Sequence, residues 1–83
     1  MKIEIFTGPG CRYCERAKAL LAEHGLAYSE RDVGQAEVRA EFAARLPREK
    51  AVPQVIIDGE HIGGCEDLEL HLSGDARGPA SRQ

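Results

Sequence analysis

The segment Cys11-Arg12-Tyr13-Cys14 decides how the rest of the chain is interpreted, because it places two cysteines three residues apart in front of a helix-forming run. Residues at this spacing share one face of a helix, so the two sulfurs can meet in a small disulfide ring. Unpaired N–H groups and the positive end of the helix dipole stabilise a thiolate at a helix start. We therefore predict that the pKa of the Cys11 thiol is lowered, that Cys11 is the nucleophile, and that Arg12 adds positive charge beside it.

A strand and a turn precede the cysteine pair, and a helix follows it. Isoleucines alternate with charged residues over residues 2–6, which predicts a strand. Residues 7–10 read Thr-Gly-Pro-Gly, a turn-forming run that leads straight to Cys11. Residues 15–23 are strong helix formers, and the dipeptide His24-Gly25 is typical of a helix end. The pair is therefore predicted to lie where a first strand passes into a first helix.

The remaining segments continue the alternation of strands and helices. They are predicted as a strand over 26–31, a helix over 35–46, a strand over 54–57, a return strand over 60–62 and a helix over 65–72. Asp58-Gly59, between the last two strands, is a strong hairpin signal. The order β-α-β-α-β-β-α calls for parallel strands in its first unit and an antiparallel hairpin near its end. The predicted fold class is therefore α/β, with a mixed four-stranded sheet flanked by helices.

Length and composition favour one small domain in the cytoplasm. The chain has 83 residues, 30% of them charged, and its net charge of −3 is spread without a basic nucleic-acid-binding stripe. No apolar run approaches membrane-spanning length, and the start of the chain does not resemble a signal peptide. Structural disulfides are rare in the cytoplasm, so a close cysteine pair there indicates redox or metal chemistry. We expect a domain over residues 1–73 and a flexible tail over 74–83, which has almost nothing to bury.

Two further motifs accompany the cysteine pair. Ala51-Val52-Pro53 precedes a predicted strand, and the run Gly-Gly-Cys-Glu-Asp over residues 63–67 opens the last predicted helix. Together with a Cys-x-x-Cys pair at the start of the first helix, these motifs resemble those of the glutaredoxins, which are thiol–disulfide oxidoreductases with a thioredoxin-like fold that use glutathione. The resemblance covers residues 1–73 and includes both cysteines of the pair, its tyrosine, the Val-Pro dipeptide, both glycines and the aspartate.

The resemblance implies distinct roles for the two cysteines. Cys11 attacks a protein disulfide or a protein–glutathione mixed disulfide, and Cys14 resolves protein disulfides by closing the bond to Cys11. Glutathione then reduces the enzyme as a cosubstrate, with no metal and no tightly bound cofactor. The implied partners are glutathione and disulfide-containing or glutathionylated proteins. The protein itself is expected to be a monomer that binds neither nucleic acid nor membrane.

The resemblance also implies a groove that binds glutathione. In this groove Val52 pairs through its backbone with the cysteine residue of glutathione, as a strand adds to a sheet edge, and Pro53 follows a cis peptide bond. The helix start at Gly64 receives the γ-glutamyl carboxylate, and Asp67 holds the ammonium group. The implied glutathione-binding residues are Tyr13, Val52, Pro53, Gly64, Cys65 and Asp67.

Three positions depart from the pattern typical of the family. Arg12 stands where the family has a proline, Ala51 where it has a threonine, and Gly8 where it often has a lysine. In the family that lysine helps to bind the glycine carboxylate of glutathione. In this chain Arg48, Lys50 or Arg12 would have to supply the charge instead.

Other interpretations of the same residues are compatible with the sequence. The pair could be half of a zinc site, but only Cys65 and the isolated His24, His61 and His71, which are otherwise expected to be solvated, could complete it. Cys65 could be a small buried spectator, and Asp67 a first-turn acid favoured by the helix dipole. The electron donor could be a thioredoxin reductase. A dimer that holds an iron–sulfur cluster through the first cysteine and glutathione is a further alternative.

Overall fold

Strands and helices alternate along the computed structural model, which describes residues 1–73. The elements are β1 (Ile3–Thr7), α1 (Arg12–Glu23), β2 (Ser29–Asp32), α2 (Ala36–Arg45), β3 (Gln54–Ile57), β4 (Glu60–Gly63) and α3 (Cys65–Leu72). The predicted order β-α-β-α-β-β-α is therefore confirmed. The tail predicted for residues 74–83 lies outside the described residues.

The strands form one mixed sheet in the order β2-β1-β3-β4. β1 runs parallel to β2 and antiparallel to β3, while β3 and β4 form an antiparallel hairpin. The hairpin turns at Asp58 and Gly59, whose φ angles of +51° and +84° lie in the left-handed region that such a tight turn requires. The predicted mixed four-stranded sheet with helices on its faces is confirmed.

Helices cover both faces of the sheet. Successive side chains of a strand point to opposite sides, so the central strands contribute side chains to both faces. On one face α1 and α3 pack on the central strands. This cluster consists of Ile3, Ile5, Ala17, Leu21, Val55, Ile57, Cys65 and Leu68. On the other face α2 packs on the sheet through Phe6, Phe42, Leu46 and Ile56. The two central strands, β1 and β3, are buried along their whole length and form a rigid support for the loops at their ends.

The second strand is the element whose position the sequence predicts least well. It was expected over residues 26–31 but begins at Ser29, because its parallel pairing with β1 starts there. Leu26 and Tyr28 instead pack their side chains against the cluster beneath α1 and α3. β1 is also shifted by one residue, since Thr7 still pairs with β2. In both cases the neighbouring strand sets the boundary, not the local alternation of apolar residues.

The sheet topology brings three loops to the same end of the sheet. β1 ends there and leads into α1. β3 is antiparallel to β1 and therefore begins at this end, with Gln54 opposite Phe6. β4 in turn is antiparallel to β3, so it ends there, with Gly63 opposite Val55, and leads into α3. The cysteine pair, the Val-Pro dipeptide and the glycine pair therefore meet although they are far apart in sequence.

Candidate active site

Cys11 and Cys14 form a disulfide at the start of α1, with their Cα atoms 5.2 Å apart. Cys11 is the N-cap residue of the helix, and its Sγ accepts a hydrogen bond of 3.1 Å from the backbone N–H of Cys14. Cys11 is partly exposed, whereas Cys14 is fully buried. An external thiolate can therefore reach the sulfur of Cys11 but not that of Cys14.

An open cleft of about 290 Å³ lies beside the disulfide, and its lining includes every residue that the resemblance assigns to glutathione binding. The lining residues are Tyr13, Ala51, Val52, Pro53, Gln54, Gly64, Cys65, Glu66 and Asp67. The Cys11 sulfur is next to this cleft, since it lies 3.6 Å from the carbonyl oxygen of Val52. Tyr13 is 58% exposed and presents its ring at the edge of the cleft.

One wall of the cleft is the loop that precedes β3. The Val52–Pro53 peptide bond is cis, as the resemblance implies, and Pro53 is buried while Val52 is partly buried. Within residues 1–73, the backbone N–H of Val52 has no hydrogen-bond partner. This N–H is therefore available to an extended peptide that lies alongside the loop.

The opposite wall is the start of α3. Gly64 is the N-cap of this helix, and its N–H donates to Asp67 Oδ2 at 3.0 Å. Gly63 has a φ of +126°, and a Cβ at this position would overlap the Asp67 carboxylate, so the close approach requires glycine. Asp67 thus has a structural role as a capping residue, and it lies in the first turn of α3, where the alternative interpretation expects an acid favoured by the helix dipole. The first N–H groups of α3 face no partner within the helix and suit a carboxylate.

Cys65 is the first residue of α3 and lines the same cleft, but the residue is buried, with 6% exposure. Burial raises the pKa of the Cys65 thiol above its ordinary value, and the negative charge of Glu69 raises it further. Arg16 opposes this effect, but it forms an ion pair with Glu69 at 2.5 Å. Cys65 is therefore poorly suited to be a nucleophile at neutral pH.

Three cations, one on α1 and two on the segment before β3, have no ion-pair partner within residues 1–73. They are Arg12, Arg48 and Lys50, and all three are exposed. Gly8, where the family often has a lysine, is packed against the cleft wall. A Cβ at this position would lie 3.2 Å from Val52 Cγ2, closer than most Cβ contacts. Glycine at position 8 therefore leaves room for the Val52 side chain.

Gln54 also lines the cleft, although it was not among the residues predicted for the site. Its side chain is buried, with 7% exposure, and its Oε1 lies 2.7 Å from Nε2 of His61 on β4. His61 was expected to be solvated; it is exposed, but it also takes part in this hydrogen bond. His24 and His71 are exposed, as expected. A glutamine directly before the apolar run of β3 is the signal that indicates a buried polar side chain here.

The part of the chain that the structure describes holds no cluster of three or more His, Cys, Asp or Glu side chains suited to a metal ion. Within residues 1–73, the cysteine pair therefore has no neighbouring side chains that would complete a zinc site. Across the same residues, every helix is too short or too polar to cross a membrane.

Comparison with known proteins identifies the family. Residues 3–62 match the family model described as Glutaredoxin. The chain is 47% identical over 77 residues to Glutaredoxin 3 of Escherichia coli, a match that covers 92% of this chain and 88% of that protein. It is 43% identical to the solution structure of glutaredoxin from Brucella melitensis, with a TM-score of 0.71 and coverage of 93% of this chain and 85% of the other.

A glutaredoxin solved with glutathione is also similar. The crystal structure of a buckwheat glutaredoxin–glutathione complex is 31% identical, with a TM-score of 0.71 and coverage of 87% of this chain and 69% of that one. The predicted thioredoxin-like fold is therefore confirmed, since these structures and this chain share one arrangement of strands and helices. On this agreement of sequence, fold and cysteine motif, the chain belongs to the glutaredoxin family of oxidoreductases, with the Cys11–Cys14 pair as its redox-active disulfide.

Proposed function

We propose that this protein is a glutathione-dependent oxidoreductase that reduces protein disulfides and protein–glutathione mixed disulfides through Cys11 and Cys14. The observation that carries the proposal is the asymmetry of the disulfide: its two sulfurs are bonded to each other, yet one is partly exposed beside a cleft and the other is buried. Thiol–disulfide exchange needs one sulfur that an outside thiolate can attack and a second that can leave and return. This pair satisfies both conditions.

The surroundings of Cys11 favour its thiolate once the disulfide is reduced. Its sulfur sits at the N-terminus of a 12-residue helix, where the N–H of Cys14 points at it. A charge-assisted hydrogen bond and the helix dipole both stabilise negative charge at this position, and the exposed Arg12 adds a positive charge. Each of these effects lowers the pKa of the Cys11 thiol, so that a larger fraction is nucleophilic at neutral pH.

The reduction of the enzyme proceeds in two exchanges. A glutathione thiolate attacks Cys11 Sγ, the bond to Cys14 breaks, and Cys14 leaves as a thiolate that takes up a proton. A second glutathione thiolate then attacks the sulfur of the bound glutathione, which releases oxidised glutathione and the Cys11 thiolate. Two electrons have then passed from two glutathione molecules to the cysteine pair.

The reduced pair passes these two electrons to a protein disulfide. The Cys11 thiolate attacks one sulfur of the substrate, and the mixed disulfide that forms is broken by Cys14, which restores the Cys11–Cys14 bond. On a glutathionylated protein, Cys11 takes the glutathione directly and the target thiol leaves. The second route does not require Cys14, because free glutathione can complete it.

The cleft offers complementary groups for glutathione, a tripeptide with carboxylates at both ends. The free N–H of Val52 suits its central cysteine residue, and the start of α3 at Gly64 and Cys65 suits the γ-glutamyl carboxylate. Asp67 carries the negative charge that its ammonium group needs, while Tyr13 and Pro53 supply apolar surface. One of the exposed cations Arg12, Arg48 and Lys50 would pair with the glycine carboxylate.

A second electron donor deserves a test because position 8 carries no charge. Glycine there removes the cation that the family often uses for the glycine carboxylate, so a thioredoxin reductase remains the alternative donor. We further propose that the enzyme acts as a monomer in the cytoplasm, on disulfide-containing or glutathionylated proteins, with glutathione as its cosubstrate; its membership of the glutaredoxin family supports the substrates and the cosubstrate.

The experiment compares the two donors on one substrate. Reduction of a glutathione mixed disulfide of a small thiol is followed with glutathione and glutathione reductase, and separately with thioredoxin reductase, each with NADPH. We expect turnover that saturates with glutathione and a rate with thioredoxin reductase at least about tenfold lower. Turnover with thioredoxin reductase alone would contradict glutathione dependence, and turnover with neither donor would contradict the proposed activity.

A further inference from the structure

Gln54 connects the cleft wall to the rest of the sheet through hydrogen bonds from every polar group of its side chain. Its Nε2 donates to the carbonyl oxygen of Ala51 at 3.0 Å and to Glu49 Oε1 at 3.3 Å. Its Oε1 lies 2.7 Å from Nε2 of His61, which must donate because the glutamine oxygen has no hydrogen. The buried amide is therefore fully satisfied, and a flipped amide would turn its oxygen toward two other oxygens.

The segment that Gln54 holds has few other hydrogen bonds within the described part of the chain. The loop at positions 50–53 takes part in no backbone–backbone hydrogen bond there. Besides the contact between Cys11 Sγ and Val52, the hydrogen bond from Gln54 to Ala51 is the one polar tie of this loop in residues 1–73. The position of the peptide between Ala51 and Val52 therefore depends strongly on the glutamine amide.

The partners of Gln54 anchor it on both sides. His61 belongs to β4, which is paired with β3, and in this pairing His61 lies opposite Ile56. Glu49 is fixed from the other side, since its backbone N–H donates to the carbonyl of Leu46 at the end of α2 at 3.0 Å. The amide thus links the loop to two well-packed elements, because Leu46 and Ile56 both belong to the cluster beneath α2.

We propose that Gln54 is a positioning residue for glutathione: its amide, oriented by His61 and Glu49, holds the Ala51 carbonyl and so aims the free Val52 N–H into the cleft. This inference rests on the proposed function, in which Val52 pairs with glutathione. Gln54 does not touch the reacting sulfurs in this role. It acts by reducing the number of conformations of the loop, so that less ordering is needed when glutathione binds.

The test replaces Gln54 by methionine, which has a similar length and shape but forms no comparable hydrogen bonds. The apparent Michaelis constant for glutathione should rise about three- to tenfold, as expected when the loop loses its neutral hydrogen bond from Gln54 to the Ala51 carbonyl. The kcat at saturating glutathione should change less than about twofold, because binding is affected and chemistry is not. Alkylation of the reduced Cys11 by iodoacetamide, a small reagent that does not use the loop, should also stay within about twofold.

Replacing Gln54 by a charged residue should have a larger effect than replacing it by methionine. Gln54→Glu keeps the shape but cannot donate to the Ala51 carbonyl, and it places a carboxylate against that of Glu49. The Michaelis constant for glutathione should therefore rise further than in Gln54→Met. Equal constants in the wild type and both variants would overturn the inference.

A matched control separates positioning from stability. Thr7→Val removes a partly buried hydrogen bond, from Thr7 Oγ1 to Oε2 of Glu30 on the neighbouring strand β2 at 2.8 Å. It should lower the free energy of unfolding in urea while leaving the Michaelis constant for glutathione unchanged. If Gln54→Met behaves in the same way as Thr7→Val, Gln54 is only structural and the inference is wrong.

A second variant covers the case in which Gln54→Met does not fold. His61→Phe lies at an exposed position of β4, where an aromatic residue suits a strand, and it removes the group that orients Gln54. It should raise the Michaelis constant for glutathione about two- to threefold, and an unchanged constant would overturn the inference. If the wild-type protein does not use glutathione, the proposed function is wrong as well. If the wild-type rate saturates with glutathione and the variants have the same Michaelis constant, only the inference is wrong.

Discussion

Cys11 and Cys65 both follow a glycine and both lie at the start of a helix, yet the structure gives them opposite properties. Cys11 caps α1 from outside the helix, is partly exposed, and accepts the N–H of Cys14 on its sulfur. Cys65 is the first residue inside α3, is 6% exposed, and has a thiol pKa raised chiefly by burial and then by Glu69. A helix start alone therefore does not make a nucleophile. We expect a reactive cysteine also to take the capping position and to be accessible to solvent, as Cys11 does and Cys65 does not.

The largest expected effect is the difference in activity between the variants Cys11→Ser and Cys14→Ser. Cys11→Ser should lower every thiol-exchange activity by at least about a thousandfold, because a serine hydroxyl does not supply the thiolate that attacks. Cys14→Ser should keep most reduction of glutathione mixed disulfides. It should lose most reduction of protein disulfides, for which an intramolecular thiol has a large effective-concentration advantage. Steady-state rates on the two substrate classes provide the measurement.

Two results would contradict this division of roles. Activity of Cys11→Ser together with inactivity of Cys14→Ser on mixed disulfides would reverse the assignment of nucleophile and resolving thiol. Activity of both single variants on protein disulfides would mean that the pair is not the redox centre. Circular dichroism of each variant shows whether it is folded and serves as the control.

The second prediction compares Cys11 and Cys65 within one reduced molecule. At pH 7 alkylation of Cys11 should be about a hundredfold faster than that of Cys65, because burial raises the pKa of the Cys65 thiol and also blocks the reagent. The rate at Cys65 should continue to rise above about pH 8.5, the ordinary thiol value, whereas the rate at Cys11 should already have levelled off. Peptide mapping by mass spectrometry at several pH values measures both. In urea the two rates should converge, and similar rates in the folded protein would contradict the comparison.

The third prediction concerns an ion cluster on the far face of the sheet, which should affect stability but neither cysteine. Arg45 bonds to Glu4 at 2.8 Å and to Glu41 at 2.9 Å, and hydrogen bonding to Arg45 holds the pKa of the Glu4 carboxyl below its usual value. Arg45→Met leaves Glu4, which is 9% exposed, without this partner. The free energy of unfolding at pH 7 should fall by about 1–3 kcal/mol.

The pH dependence of this effect has a definite sign. A carboxyl whose pKa is lower in the folded state than in the unfolded state adds stability above its unfolded pKa, and this contribution is lost as the pH falls through the folded pKa. The difference between wild type and Arg45→Met in urea unfolding should therefore shrink below about pH 4. A difference of the same size at pH 7 and pH 3 would argue against the ion pair as its cause. Alkylation of Cys11 should be equal in both proteins.

The smallest expected effect concerns the contribution of the Arg12 charge to the reactivity of Cys11. Arg12 is exposed, so its charge should stabilise the thiolate only modestly. Arg12→Gln should slow alkylation of Cys11 at pH 6 about two- to fivefold and move the midpoint of its pH profile upward. Arg48→Gln removes another exposed charge, from the segment before β3, and should leave the profile unchanged. Identical effects of both substitutions would mean that overall charge matters more than the position of Arg12.

The sequence was sufficient for the order of elements and the mixed sheet, because local signals specify these features. The grouping of the cleft residues was expected only from the resemblance to the glutaredoxins. The turn at Asp58-Gly59 fixes the hairpin, and the glycine pair with Asp67 fixes the start of α3. Features that depend on distant partners were not predictable. β2 begins where β1 pairs with it, and the buried charge of Glu4 depends on an arginine 41 residues away. Gln54 likewise reveals its role only with its neighbours in place.

The reaction of Cys14→Ser with oxidised glutathione tests most directly whether Cys11 is the accessible nucleophile. This variant cannot close the internal disulfide, so the mixed disulfide with glutathione should accumulate. Peptide mapping by mass spectrometry should find one glutathione per chain, on Cys11, and free glutathione should remove it. Glutathione on Cys65 in place of Cys11, or no adduct on a folded protein, would contradict the account.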